Sequence, residues 1–576
     1  MPTPIEPKSL TRYASSRKLV VLLHAFTNSA DSMKYVRAVV TESYGISVAD
    51  IFIPELPLAT WSCANPLAVC NQLLEQIDVL WAERIEKYHS PYESIMFVGH
   101  SFGALLCRKL YVYACGETAL APFEPGIRLK TLRPWAGSVE RIILLAGMNR
   151  GWSISHHMSL SKAFYFSLGV GFGGVWQALT RKKPAIMHIH RGAPFITNLR
   201  IQWLSMRYNA KHKGVGNALT VQLLGSIDDM VSPEDNIDLV SGSDFVYLDV
   251  AKTGHGNIID MDEKPDAQDR RRKFRAALLK DEQTLKQEYN QLPRDESLLV
   301  SRDKVTDLIF VIHGIRDPGY WTHKIARRVK QLGKDHHKTF ETETSSYGYF
   351  PMLSFLFPWR RREKVEWLMD QYTEGLAQYP NAEFSYVGHS HGTYLLTKAL
   401  KEYPCCRFKQ VVLAGSVVRT DYAWEALLKQ GRVGKVLNYV ASGDWVVAWF
   451  PNAMQMLNWQ DLGGAGHRGF ESDQVNQIRY AKGAHSAALH EDNWDEIAKF
   501  VITGKTDGLP ATIKVGKQSF WVSAVSKVAP LLWLGVIYLL YLIGREFWPD
   551  LSAEQWRSLV FSGLYVAGIL LVLTKV

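Results

Sequence analysis

Two serines stand in the same local setting, each between two glycines and each directly after an apolar run. Residues 95–98 lead into GHSFG with Ser101 at its centre, and residues 384–387 lead into GHSHG with Ser390 at its centre. A helical apolar pattern follows both serines. A strand, a tight turn and a helix hold a serine hydroxyl exposed at the strand end, near a helix N-terminus that favours a developing anion. The pattern therefore predicts two nucleophilic serines.

A serine hydroxyl is a weak nucleophile, so it needs a general base and an acid that orients the base. After Ser101, one apolar run leads to Asp228 and a second one leads to His255. An acid and then a histidine, each at the end of a strand, complete a triad with Ser101. Asp229 is the alternative acid because it adjoins Asp228.

The second serine has a matching acid but more than one histidine within reach. After Ser390, an apolar run leads to Asp444, and a later strand-like run leads to His485. His467, in a glycine-rich stretch, is a rival base, and His490 lies too far into the helix that follows. We favour Asp444 with His485, because the acid and the base then follow successive strands.

Both settings belong to one larger repeat. The apolar run 18–23 ends at His24 and the run 307–312 ends at His313, and each serine comes 77 residues after its histidine (101 − 24 and 390 − 313). Apolar runs that alternate with helical patterns are typical of a parallel sheet with crossover helices. The sequence thus predicts an α/β protein with two tandem units.

The composition and the charge pattern predict the boundaries of five segments along the chain. The predicted boundaries are 1–290 for the first unit with an insertion at about 149–215, 291–304 for a charged linker, 305–505 for the second unit, 506–527 for a juxtamembrane segment and 528–576 for a membrane hairpin.

These residues resemble the α/β-hydrolase superfamily of serine esterases and lipases, over roughly residues 15–290 and 300–505. The resemblance implies mostly parallel sheets with helices on both faces, and the order nucleophile, acid, histidine. It also implies that an oxyanion is held by two backbone N–H groups, one after the serine and one after the early strand. The implied N–H donors are those of Phe102 with Ala25 or Phe26, and of His391 with Gly314 or Ile315. The first unit reads His-Ala where the family commonly has His-Gly.

The two units differ most before the acid. The first has about 52 more residues there than the second, at the place where family members insert a lid over the acyl pocket. Residues 163–180 of this insertion carry no charge, which favours a membrane-dipping or substrate-covering lid over a buried helix pair or a true span. In the second unit, the aromatic segment 347–359 followed by three arginines suits a headgroup boundary, with a core strand and loop as the alternative.

The C-terminal region predicts attachment to a membrane. Residues 528–544 and 558–574 are uncharged, each near the lower limit of about 17 residues for a bilayer span. A polar spacer with tryptophans separates them, as in a membrane hairpin; a buried core hairpin is the alternative. Lysines flank the outer ends, so we expect both termini and both units on the cytoplasmic side. Residues 1–18 lack the apolar core of a signal peptide, and a bacterial inner membrane fits this topology.

Composition excludes several other classes of function. The net charge of +10 is modest for 576 residues, and the basic run 270–273 stands among acidic neighbours, which favours a solvated helix face over a nucleic-acid surface. Six cysteines without a CxxC pair indicate reduced thiols rather than a disulfide framework. Histidine pairs lack a third ligand at metal-binding spacing, so we expect no metal and no cofactor.

The sequence as a whole predicts a membrane-anchored serine hydrolase that cleaves lipid or other acyl esters. An acyltransferase or a thioesterase would use the same triad and differ only in acceptor or leaving group. A membrane scaffold built from one or two inactive hydrolase units is the alternative from another class. The oligomeric state does not follow from the sequence.

Overall fold

The protein is described by a computed structural model that covers residues 5–45, 48–153, 176, 180, 182–228, 230–231, 238, 245–289, 301–315, 317, 319–348, 350–506, 515–547 and 565. Contacts divide the chain into a first unit of Met1–Val300, Met369–Gln378 and Tyr403–Cys405, and a second unit of Ser301–Leu368, Tyr379–Glu402 and Cys406–Val576. The sequence alone assigns 369–378 and 403–405 to the second unit, whereas their contacts group them with the first.

The first unit is built on a seven-stranded sheet in the order β1-β3-β2-β4-β5-β6-β7. Its strands are β1 (Glu6–Thr11), β2 (Lys18–Leu23), β3 (Ala49–Glu55), β4 (Ser94–His100), β5 (Val139–Leu145), β6 (Leu219–Gly225) and β7 (Phe245–Val250). Only the edge strand β1 pairs antiparallel, and the remaining pairs are parallel. A parallel sheet needs a crossover between successive strands, and helices supply it.

Some of the described helices of this unit begin or end at recognisable sequence signals. They are α1 (Lys34–Tyr44), α2 (Pro66–Tyr88), α3 (Phe102–Ala114), α4 (Pro194–Lys213), α5 (Gln268–Leu279) and α6 (Glu282–Glu288). For α2, the Asn65 side chain accepts the Leu67 N–H at 2.9 Å and Pro66 occupies the first helical position. For α4, Pro194 comes first and Gly214 ends the helix at φ 68°.

Both faces of the first sheet are buried, which explains why its strands are apolar without interruption. In β2, Leu19, Val21 and Leu23 pack in one core cluster, and the alternate residues Val20 and Leu22 pack in another. Side chains alternate between the faces of a strand, so a strand covered on both sides must be apolar at every position. This pattern holds the sheet rigidly enough to position the residues at its ends.

The second unit repeats this plan with six strands, all parallel, in the order β13-β12-β11-β10-β8-β9. Its strands are β8 (Asp307–Ile312), β9 (Phe340–Glu343), β10 (Glu383–His389), β11 (Phe408–Ala414), β12 (Val433–Ala441) and β13 (Asn476–Ala481). The helices that follow β8 in sequence are α7 (Tyr320–Asp335), α8 (Met352–Leu356), α9 (Pro358–Gln378, whose residues 369–378 are grouped with the first unit), α10 (His391–Glu402), α11 (Trp424–Lys429), α12 (Trp445–Met456), α13 (Ala465–Arg468) and α14 (Trp494–Thr503). Mixed α/β architecture with parallel sheets is therefore present in both units.

A long apolar helix, α15 (Phe520–Phe547), follows the second unit's sheet. Its segment Phe520–Leu542 is long and apolar enough to cross a membrane, and it is the one such segment among the described residues. This span begins eight residues before the predicted start at 528. The second predicted span, 558–574, and most of its spacer lie outside the described residues, as do most of the insertion segment 163–180 and linker residues 291–300.

Candidate active sites

Ser101 sits at the turn between β4 and α3, with φ 53° in the left-handed region that side chains other than glycine seldom adopt. The turn brings two backbones so close that its glycines are required. A Cβ at Gly103 would lie 2.3 Å from the Leu23 carbonyl oxygen, and a Cβ at Gly99 would lie 2.4 Å from the Gly103 carbonyl. In the sheet, β4 lies next to β2, at the point where the strand order reverses. Open α/β sheets place their ligand-binding sites at such a point.

Three side chains of the first unit form one hydrogen-bonded chain. His255 Nδ1 lies 2.9 Å from Asp228 Oδ2, and His255 Nε2 lies 2.9 Å from Ser101 Oγ. Asp228 only accepts, so Nδ1 carries the proton and the lone pair of Nε2 receives the serine hydroxyl. Burial would raise the pKa of Asp228, but His255 and the N–H groups of Val231 and Met230 lower it below its ordinary value. The arrangement can draw a proton from Ser101.

Two further histidines hold these loops in place, a role that the sequence did not indicate. His24 Nε2 accepts the Leu56 N–H at 2.9 Å, so its Nδ1 donates to the Ala25 carbonyl at 2.8 Å. His100 Nε2 donates to the His255 carbonyl at 2.9 Å. Burial, followed by the charge of His255, lowers the pKa of His100 to about 3, and burial also lowers the pKa of His24. Both are neutral supports rather than proton carriers.

The predicted oxyanion donors lie beside the nucleophile. The N–H of Phe102 is in the first turn of α3, where N–H groups have no intrahelical acceptor. The rings of Phe26 and Phe102 stack at 6.4 Å, which places the loop after β2 against the start of α3. Ala25 is buried in that loop.

The second elbow repeats the first. Ser390 has φ 50°, and a Cβ at Gly392 would lie 2.6 Å from the Ile312 carbonyl oxygen. Both oxygens of Asp444 lie 3.0 Å from His485 Nδ1, and Asp444 also accepts the Val447 N–H as N-cap of α12. His255 and Ser101 are hydrogen-bonded in the first unit, whereas His485 and Ser390 are not hydrogen-bonded to each other in the second.

The alternative acid and bases have different surroundings. His467 is buried in α13, where its carbonyl accepts from Gln518, and Asp444 directs its hydrogen bonds to His485 instead. His490 is exposed and lies 3.2 Å from Asp492. The alternative acid of the first unit, Asp229, lies outside the described residues.

The base of the second unit packs closely against its neighbours. A Cβ at Gly415 would lie 2.7 Å from His485 Cε1, and Gly415 itself has φ 53°. The ring centroids of His485 and His389 are 4.8 Å apart. The position of His485 therefore depends on a bare backbone at Gly415.

A carboxylate that sequence reasoning missed lies beside this site. Asp317 Oδ2 lies 3.4 Å from His389 Nδ1 and accepts the Trp321 indole N–H at 2.8 Å. Burial would raise the pKa of Asp317, but the hydrogen bonds from His389, Trp321 and the Gly319 N–H hold it well below its usual range. Asp317 lies between β8 and α7 and belongs to no recognisable motif, so only the tertiary structure reveals it.

The predicted oxyanion loop of the second unit lies close to Ser390. A Cβ at Gly314 would lie 2.8 Å from Ser390 Cβ, so the glycine is needed there. His313 Nδ1 donates to the Gly314 carbonyl at 2.8 Å, and the Tyr347 hydroxyl donates to the same oxygen at 2.8 Å. The other predicted donor of this loop, Ile315, is half-buried.

The aromatic segment 347–359 is buried at Tyr347, Phe350 and Phe355, whereas Phe357 is exposed. Phe350 stacks on the ring of His391 at 4.8 Å, and Phe355 meets the same ring edge-on at 5.5 Å. Arg361, expected at a headgroup boundary, is fully buried and donates to Gln460 and Asp461. Burial, followed by the charge of Arg361, holds the pKa of His391 well below its usual range.

A cavity of about 720 Å³ opens in the first unit next to the candidate base. Its lining includes Gly256, Asn28 of the oxyanion loop, and the charged side chains of Asp31, Lys34 and Glu55. Ser101 is not in its lining. The cavity thus offers polar surroundings beside the base rather than a chamber over the nucleophile. The described part of the chain contains no group of three or more His, Cys, Asp or Glu side chains able to hold a metal ion.

Comparisons with known proteins find likeness in solved structures alone. No protein-family model matches this sequence, and no curated protein matches it. The siderophore hydrolase of Aspergillus fumigatus has a TM-score of 0.32 and 10% identity, covering 49% of this chain and 94% of its own. Carboxyl esterase 2 of Tuber melanosporum has a TM-score of 0.29 and 12% identity, covering 47% of this chain and 82% of its own. A lipase-esterase related protein of Clostridium acetobutylicum has a TM-score of 0.26 and 10% identity, covering 46% of this chain and 96% of its own. Likeness this weak says nothing of the substrate of this chain.

Replacement of the first acid should cripple the first site while leaving the fold intact. In Asp228→Asn the amide no longer requires a protonated Nδ1, so His255 loses the tautomer that receives the serine proton. We expect kcat for a p-nitrophenyl ester to fall about 10³- to 10⁴-fold in a Ser390→Ala background. Asp266→Asn, at an exposed position of the same unit, is the control. An unchanged kcat in folded Asp228→Asn would contradict the assignment.

A single methyl group at the elbow should separate β2 from α3. In Gly103→Ala the new Cβ would collide with the Leu23 carbonyl oxygen, so we expect destabilisation of about 1–3 kcal/mol and loss of Ser101 reactivity. Thermal melting and labelling of Ser101 by a fluorophosphonate measure the two effects. Gly126→Ala is the matched control, since a Cβ there has nothing within 4 Å. Equal melting of both variants would show that the elbow tolerates a side chain.

Proposed function

We propose that the protein is a membrane-anchored serine hydrolase that cleaves acyl esters through an acyl-enzyme intermediate. The observation that carries the proposal is the chain of two 2.9 Å hydrogen bonds from Asp228 through His255 to Ser101, which stands on a strained turn. Strained backbone is retained where the surrounding structure enforces it, often at active sites. The resemblance of the motifs to the α/β-hydrolase superfamily supports the same reaction.

In the first unit, Ser101 Oγ attacks the ester carbonyl as its proton passes to His255 Nε2. Asp228 stabilises the imidazolium that results, and the N–H groups of Phe102 and of the loop at Ala25 and Phe26 hold the developing oxyanion. Nε2 then returns the proton to the leaving alkoxide. A water, deprotonated by the same histidine, releases the acid and restores the serine.

In the second unit, Ser390, His485 and Asp444 take the corresponding roles. The oxyanion donors are the N–H groups of His391 and of the loop at Gly314 and Ile315. His485 has to approach Ser390 before it can take the proton, and catalytic hydrogen bonds often form fully only with substrate bound. Both units are therefore proposed as hydrolases.

Attachment to a membrane favours a lipid or another long-chain acyl ester as the substrate. The apolar segment Phe520–Leu542 supports one membrane span. With the predicted second span at 558–574, the chain would form a hairpin whose ends and catalytic units lie on the cytoplasmic side, as in a bacterial inner membrane. The insertion segment 163–180 would cover the acyl group in the first unit.

Labelling with a fluorophosphonate probe tests the proposal on full-length protein in detergent. The probe reacts only with an activated serine, so we expect wild type to be labelled and the Ser101→Ala, Ser390→Ala double variant to lose all signal. Each single variant should retain the signal of the other serine. A well-folded wild type that takes up no label would overturn the hydrolase assignment and favour a membrane scaffold.

A further inference from the structure

The segment that leads into α15 is hydrogen-bonded to the strands and loops of the second acid–base pair. The Ser519 N–H donates to the Ser442 carbonyl at 2.8 Å, two residues before Asp444. The Gly516 N–H donates to the Tyr480 carbonyl at 2.9 Å, in the strand that leads to the base. The membrane helix is thus joined directly to the loops that carry chemistry.

The helix α15 also packs on α12, whose N-cap is the acid Asp444. Trp533 stacks on Trp449 with ring centroids 4.8 Å apart and planes 21° apart. Asn452 Nδ2 donates to the Ser526 carbonyl at 2.8 Å. Because earlier residues of α12 meet later residues of α15, the helices run in opposite directions. The Asp444 end of α12 therefore points toward the apolar C-terminal half of α15.

A second line of contacts connects α15 with the oxyanion hole. The ring of Trp533 lies 5.3 Å from that of Phe450, and Phe450 lies 6.3 Å from Phe355. Phe355 in turn meets His391, whose N–H is the proposed oxyanion donor, at 5.5 Å. All of these groups except Trp533 belong to the sheet-based part of the second unit. A displacement of Trp533 would therefore reach both the acid and the oxyanion hole.

The C-terminal half of α15 is apolar and uncovered, and residues 537–541 are exposed on all sides of the helix. The exposed apolar residues of α15 include Leu531, Leu534, Ile537, Tyr538, Leu539 and Tyr541. Trp445, directly after the catalytic acid, is 56% exposed. Soluble surfaces rarely leave so large an apolar patch to water. Lys527, one residue before the predicted span at 528, and Trp445 are of the types that proteins place at the boundary of a bilayer.

From these contacts we infer that α15 is a positioning element of the second site, and that a lipid bilayer is the partner which covers its apolar face. The inference rests on the proposed hydrolase function. The bilayer sets the position of α15, and α15 holds α12 and the two catalytic loops, so the second site works on acyl esters presented at that bilayer. The first site has no such dependence, because Asp228, His255 and Ser101 all belong to the first unit and are hydrogen-bonded to one another there.

Two serines in one chain allow a test with an internal control. Full-length protein is reconstituted in phosphatidylcholine vesicles with phosphatidylglycerol, and fluorophosphonate labelling rates are measured at Ser390 in a Ser101→Ala background and at Ser101 in a Ser390→Ala background. We expect Trp533→Ala to slow Ser390 labelling about tenfold or more and to leave the Ser101 rate unchanged. Trp533→Phe, which keeps a ring, should restore most of the Ser390 rate.

A control variant and a change of medium separate the packing of α15 on α12 from its insertion in the membrane. Trp521→Ala removes an equally large side chain that is 76% exposed and has no described ring contact with α12, so both rates should stay as in wild type. Vesicles should also raise the Ser390 rate over that in detergent, with no change at Ser101.

Three outcomes would overturn the inference. The first is equal Ser390 labelling in Trp533→Ala and wild type; the second is a Ser390 that never reacts in vesicles while Ser101 does. In both cases the hydrolase function of the first unit survives. The third is a disulfide between two Leu534→Cys chains in vesicles, which would assign the apolar face to a second copy. Absence of labelling at both serines would instead contradict the proposed function itself.

Discussion

The contact of two backbones at the elbow is the constraint on which each site depends. At Gly103 the start of α3 presses so close to the end of β2 that no side chain fits. At this turn Ser101 has a positive φ, and the ring of Phe102 at the start of α3 stacks on Phe26 of the loop after β2. The proposed nucleophile and oxyanion donors are thus positioned by one packing contact, and the parallel sheet, buried on both faces, provides the rigidity that this contact requires.

The two units show how one architecture is tuned in different ways. The first unit accommodates Ala25 and has a closed chain of hydrogen bonds. The second needs Gly314 at the corresponding place and surrounds His391, the residue after its candidate nucleophile, with aromatic rings. It also has an extra carboxylate, Asp317, against the histidine that precedes Ser390. The same strand order therefore supports one site that is complete in itself and another that depends on its neighbours.

The contacts of α15 with the second site give the proposed membrane anchor a second role besides attachment. An anchor joined through a free linker would concentrate an enzyme at a surface without affecting its chemistry. Here Ser519 bonds the Ser442 carbonyl just before Asp444, and Trp533 packs on the helix that begins after Asp444, so the proposed anchor would be connected mechanically to the second site. Under our inference, one site is independent of the bilayer and the other is linked to it.

Sequence by itself determined the parallel α/β architecture, both elbows and the residues that meet at them. Apolar runs of strand length and the GxSxG pattern are local signals, because each reflects the backbone conformation of a few adjacent residues. The equal spacing of 77 residues from His24 and from His313 indicated that the unit is repeated. Other features were decided only by the tertiary structure. The supporting roles of His24 and His100, the carboxylate of Asp317 and the burial of Arg361 involve partners far apart in the chain, so no local pattern encodes them.

Even the repeat needed the fold for its alignment. Matching the Leu-Ala-Gly of both halves equates Leu145 with Leu413, whereas the nucleophile N–H groups donate to Leu145 and to Ala414. The structural register is therefore shifted by one residue, and Ala146 corresponds to Gly415, both with positive φ. Hydrogen bonding across the sheet sets this register, and similarity along the chain does not record it. The same physical reason explains why the sequence indicated a membrane helix but not its contact with the second site.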